Sequence, residues 1–129
     1  MTVSEALDAM RSDLPGCSLV AYADLSSLLV LSTSSVLKPM QEQLDALSRA
    51  AQIALDGTLA EGATPVWEDE AAGEPARTAL LLTETEARVI LRANGDTREA
   101  LVCVCTPDSD LGAVIARGQA ALDDIQAAA

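Results

Sequence analysis

From the N-terminus, apolar residues first recur at helical spacing. Val3, Ala6, Leu7, Met10 and Leu14 fall on one face of a helix turning every 3.6 residues. Thr2 and Glu5 have the spacing of a capping box, and Pro15-Gly16 is a stop signal, so the pattern predicts a helix over Thr2 to Leu14. Ser18 to Asp24 and Leu28 to Thr33 then read as strands. The short polar turn Asp24-Leu25-Ser26-Ser27 joins them as a hairpin. Both strands are apolar on both faces, which predicts a sheet covered on both sides. A second helix is predicted over Pro39 to Leu55, with Pro39 in the first turn and Gly57 as its C-terminal cap. Met40, Leu44, Leu47, Ala51 and Ala54 are spaced four, three, four and three, the spacing of helix-on-helix packing. Ile53 and Leu55 widen that stripe.

Residues 57–77 break the rhythm. Gly57, Gly62, Gly73, Pro65, Pro75 and the acidic run Glu68-Asp69-Glu70 predict a long acidic loop. Its one large ring, Trp67, is expected to dock back on the domain or to meet a partner. Three strands follow, over Thr78 to Thr83, Ala87 to Ala93 and Arg98 to Cys105. Asn94-Gly95-Asp96 forms the turn before the last of them. Thr106-Pro107-Asp108 is then expected to open a final helix, with Pro107 at its first position and Asp108 and Asp110 in its first turn. Leu111, Val114, Ile115, Gly118, Leu122 and Ile125 line one face of it. The element order is α-β-β-α-β-β-β-α. The fold class expected is α/β (α+β): a five-stranded antiparallel sheet with helices on both faces, in one domain over residues 1–129.

Charge narrows the partners. The net charge is −12, and the chain has one Trp, one Tyr and no Phe. Phosphate backbones and anionic lipid repel such a chain, and base-stacking rings are nearly absent, so neither nucleic acid nor membrane is an expected partner. No apolar run nears the roughly 20 residues of a membrane span, and no basic stretch leads into an apolar one, so no signal peptide is expected. Solubility accounts for the acidity, with a basic patch on a partner as the alternative. Cys17, Cys103 and Cys105 are odd in number and lack metal spacing, which points to buried thiols in a reducing compartment, the cytoplasm.

The residues for most chemistry are missing. There is no histidine, no P-loop and no Gly-x-Gly-x-x-Gly after a strand, and the only lysine is Lys38. No catalytic residue, cofactor or metal is expected. Carboxylates are abundant, but Asp123-Asp124 and Glu68-Asp69-Glu70 read as solvated surface, and nothing places an acid in an apolar pocket. Cys103 and Cys105 share a strand face and read as small buried hydrophobes. Arg88, Ile90 and Arg92 also share a strand face. Either the arginines pair with nearby acids, or the three form a basic strip that contacts a partner.

The element order, together with Thr106-Pro107-Asp108-Ser109-Asp110-Leu111-Gly112 leading from a strand into the last helix, resembles the Roadblock/LC7 family. The likeness covers nearly the whole chain. It implies a fold related to longin and profilin domains, and a homodimer joined through the third strand and second helix. Met40, Leu44, Leu47 and Ala51, with Leu80, Leu81 and Leu82, would line that interface. Family members serve as dynein-associated light chains, as scaffolds or as regulators of small Ras-like GTPases, and are not enzymes. A Leu-rich edge strand is an aggregation hazard unless something pairs with it, and twofold pairing removes the hazard; the alternative is that the strand and the second helix simply pack within one subunit. The resulting reading is a cytoplasmic, homodimeric, non-catalytic regulator or scaffold of a small GTPase. A small-ligand sensor of profilin- or PAS-like architecture and an unrecognised carboxylate enzyme are the alternatives. Loop 57–77 is longer than usual for the family, and the chain is more acidic.

Overall fold

The computed structural model describes residues 2–56, 77–94 and 98–128. Loop positions 57–76, Trp67 among them, and Gly95-Asp96 of the turn lie outside the described residues. The elements are α1 (Val3–Asp13), β1 (Cys17–Asp24), β2 (Leu29–Ser35), α2 (Gln41–Asp56), β3 (Thr78–Leu82), β4 (Ala87–Arg92), β5 (Glu99–Cys105) and α3 (Leu111–Ala128). The strands form one antiparallel sheet in the order β2-β1-β5-β4-β3. The expected α+β class and element order hold.

Helices α1 and α3 cover one face. Leu7, Met10, Val114, Leu122 and Ile125 meet Val20, Tyr22, Val89, Leu91, Leu101 and Cys103 there. Among the described residues, helix α2 covers the other face, over Ala21, Ile90, Ala100 and Val102. Gly118 lets α3 sit close to the sheet, since a Cβ there would lie 2.4 Å from Leu91 Cδ1. Gly16 does the same between the α1–β1 and β5–α3 turns, where a Cβ would meet Ser109 Oγ at 2.5 Å. Arg117 Nε donates to Asp13 Oδ2 at 2.8 Å and ties α3 to α1.

Helix starts differ from expectation where a cap outcompetes proline. Thr2 caps α1 as expected, its hydroxyl accepting from the Glu5 N–H at 3.1 Å. Pro39, however, precedes α2. Met40 occupies the cap position, its carbonyl accepting from Gln43 and Leu44, and its N–H donating to Gln43 Oε1 at 3.0 Å. Pro107 and Asp108 likewise lie in a turn before α3. Asp110 caps that helix: its Oδ1 accepts from Ala113 N–H at 3.2 Å and its carbonyl from Val114 N–H. Leu28 belongs to the hairpin turn, with φ 58, and not to β2. Strand β2 is also longer and more polar than expected. It runs to Ser35, with Ser34 buried and accepting from Arg11 Nε at 2.9 Å.

Candidate self-association surface

Strand β3 is a run of five residues, Thr-Ala-Leu-Leu-Leu, with neither charge nor proline. It pairs with β4 in unbroken register from Thr78↔Leu91 to Leu82↔Ala87. At the two ends of this ladder Arg92 N–H donates to Arg77 O and Thr83 N–H to Glu86 O. Antiparallel bonding alternates, so residues 77, 79, 81 and 83 bond toward β4. The N–H and C=O groups of Thr78, Leu80 and Leu82 therefore point away from it. Among the described residues no strand lies beyond β3.

The side chains divide between the two faces. Ala79 and Leu81 turn toward α2 and join its cluster. Leu80 and Leu82 turn to the α1/α3 face, beside Val89, but stay 44% and 63% exposed because α3 covers β4 and β5 and does not reach them. Two exposed leucines thus lie beside a row of outward backbone groups that have no strand partner among the described residues.

The predicted α2 interface residues separate. Met40 is 66% exposed at the cap, and Leu44 is half-buried. Leu47 and Ala51 are buried against the chain's own sheet. The seam read as helix-on-helix packing is therefore the sheet-facing side of α2, because a helix lying on a sheet presents the same apolar period as one lying on a helix. The outward stripe is Glu42, Ala46, Arg49 and Ile53. It repeats the four-three-four spacing, but its mixed polarity hid it. Ile53, an exposed apolar side chain, is the residue that sequence reasoning placed only as a widening of the seam.

The arginine strip also separates. Arg88 pairs with Glu86, its Nε and a terminal nitrogen meeting Oε1 at 3.0 and 2.8 Å. Arg92 reaches across to the last turn of α2 and donates to Leu55 O at 3.2 Å, a cation at a helix C-terminus. Ile90, between them, is buried under α2 at 1% exposure and offers a partner no surface in this chain. The strip therefore does not form as one exposed patch.

The thiols are all free and buried. Burial in the apolar α1/α3 face pushes the Cys103 thiol well up. Cys17 and Cys105 sit opposite each other on β1 and β5. The Cys17 thiol donates to Leu19 O at 3.5 Å; the neighbouring Cys105 thiol lowers Cys17, and Cys17 together with burial raises Cys105. Cys17 also borders an open cleft of about 360 Å³ between the α1–β1 and β5–α3 turns, with Gly16, Thr106, Ser109 and Asp110 among its walls. The Tyr22 hydroxyl donates to the Glu99 carboxylate. Among the described residues no helix is long and apolar enough to cross a membrane, and no group of three or more Cys, Asp or Glu could hold a metal ion.

No family sequence model matches the chain, and no curated protein matches it in sequence. Solved structures do. A Roadblock/LC7 domain from Streptomyces avermitilis superimposes with a TM-score of 0.78 at 12% identity, covering 98% of this chain and 97% of that one. Myxococcus xanthus MglB superimposes with a TM-score of 0.73 at 14% identity, covering 97% and 92%. An MglB in a tetrameric arrangement gives a TM-score of 0.70 at 18% identity, covering 95% and 84%. The chain therefore has the Roadblock/LC7 fold, over nearly its whole length.

Proposed function

We propose that this chain is a non-catalytic, cytoplasmic regulator or scaffold that acts as a homodimer, and that its partner is a small Ras-like GTPase. The open β3 edge carries the reading. Three outward backbone positions and two exposed leucines lie on a strand that has none of the charges, prolines or bulges that usually blunt an edge. A second copy related by a twofold axis would satisfy both at once, each β3 pairing antiparallel with the other. Leu80, Leu81 and Leu82 would lie at the seam. Met40, Leu44 and Ile53 would flank it from α2, with Leu47 and Ala51 fixing that helix from beneath.

Two further observations favour this reading. A neighbour in fold, MglB, assembles as a tetramer. The GTPase is the partner that the Roadblock/LC7 resemblance implies. Arg88 and Trp67 are the proposed partner contacts outside the dimer seam. Amide hydrogen exchange against protein concentration tests the pairing. The Leu80 and Leu82 amides slow at high concentration and exchange freely on dilution if β3 pairs between copies. Free exchange at every concentration overturns it. Titration with Ras-like GTPases in their GDP and GTP-analogue forms tests the partner. State-dependent binding is the expected result, and no binding to any of them overturns the GTPase reading.

A further inference from the structure

Two of the three cysteines are placed as a cross-strand pair. Cys17 opens β1 and Cys105 ends β5, and the two are partners across the antiparallel ladder, just outside the register shift between Cys17 and Leu19. The flanking bond fixes the kind of pair: Thr106 N–H donates to Gly16 O at 3.0 Å, one residue outside each cysteine. In a regular ladder a bond at that position flanks a non-hydrogen-bonded pair, whose Cα atoms stand about 4.5 Å apart with side chains close together. A disulfide takes Cα separations of about 4.4–6.8 Å. Both side chains face α1 and α3.

Cys103 is excluded by the same geometry. It shares the face with Cys105, but two residues along one strand are about 6.7 Å apart with parallel Cβ vectors. Its partners across the ladders are Val20 and Val89.

Access differs as well. Cys17, 4% exposed, lines the 360 Å³ cleft beside Gly16, whereas Cys103 has no exposed surface. The Cys17 thiol is also held below the ordinary thiol value, by the neighbouring Cys105 thiol first and by the Arg11 charge, against burial, which raises it.

We infer that Cys17 and Cys105 are a redox-active dithiol that accepts oxidation from low-molecular-weight disulfides through the cleft. The Cys17 thiolate attacks one sulfur of the oxidant, forms a mixed disulfide and releases one thiolate. The Cys105 thiol gives its proton to that thiolate and attacks the Cys17 sulfur, displacing the second half of the oxidant. Two protein thiols become one disulfide, and one oxidant disulfide becomes two thiols. The link ties β1 to β5 directly beneath the α1–β1 turn.

The test is native incubation with oxidised glutathione, then blocking of free thiols, digestion and mass spectrometry. The wild-type chain loses two hydrogens, yields a single Cys17–Cys105 linked peptide and returns to three free thiols with dithiothreitol. C103A gives the same link. C105A stops at a glutathione adduct on Cys17. The wild-type map needs no variant to fold, so it decides the matter alone. Three unreacted thiols overturn the proposal. So does an even mixture of pairings that includes Cys103, the product of oxidation in unfolded chains.

Discussion

Among the described residues the sheet ends in two edges, β3 and β2, and both expose leucine. Leu80 and Leu82 stand out on β3, and Leu29 and Leu31, at 56% and 53% exposure, on β2. The edges differ in regularity. Strand β3 keeps one register over its whole length. Strand β2 slips against β1 between Tyr22 and Ala23, so that Leu31 is an extra residue opposite no partner, and its second half is Ser32-Thr33-Ser34-Ser35. A bulge turns an edge away from a flat partner. Exposed apolar area alone therefore does not mark a pairing edge. A straight ladder with unpaired backbone beside that area does.

The strand between the edges sets the scale of effects. Leu101 on β5 is fully buried in the α1/α3 cluster. Leu101→Ala is expected to cost about 2–5 kcal/mol in urea unfolding, far above any edge substitution on the folding of one copy. L82E is expected next. It removes an apolar contact from both halves of a twofold seam, at about 1.5 kcal/mol each, so the dimer dissociation constant rises roughly a hundredfold. Sedimentation equilibrium reads that shift, and circular dichroism shows each copy still folded. Asp110→Ala follows, at about 1 kcal/mol, through loss of the α3 cap; it lowers stability without changing mass. L31E is the control that sharpens the contrast. On the bulged edge it changes unfolding by no more than about 0.5 kcal/mol and leaves the association unchanged.

The smallest effect belongs to Asp24, at the hairpin beside β2. The Ser26 hydroxyl and amide, with help from Ser27, hold its carboxyl below the ordinary carboxylate value. A depressed carboxylate contributes its stability above the unfolded-state value, about 3.9, and loses it as pH falls through the lower folded value. NMR titration is expected to place its midpoint below the ordinary aspartate value.

Much of this was legible in the sequence. Period 3.6 in Val3, Ala6, Leu7 and Met10 and the apolar runs of the strands give element order and class, because burial imposes those periods. The cap residues Met40 and Asp110 were missed, since prolines at 39 and 107 carry a stronger local signal than a cap formed by hydrogen bonds three residues ahead. The direction of the α2 seam was not legible either. Leu47 and Ala51 have a spacing that a sheet and a second helix both reward, and only the placement of Ile90 and Val102 beneath them decides between the two. The Arg88–Ile90–Arg92 strip failed for a related reason: strand alternation puts three residues on one face but does not say that α2 covers the middle one. The cysteine pair was hidden because the register that sets Cys17 against Cys105 joins residues far apart in the chain.

The most direct test is mass in solution by light scattering, for the wild type and for L82E across a dilution series. The β3 edge as a self-association surface predicts a wild-type mass of at least two copies and a single-copy mass for L82E at the same concentrations, with L31E matching the wild type. A wild type of single-copy mass throughout, or an L82E that keeps the wild-type mass, would contradict it.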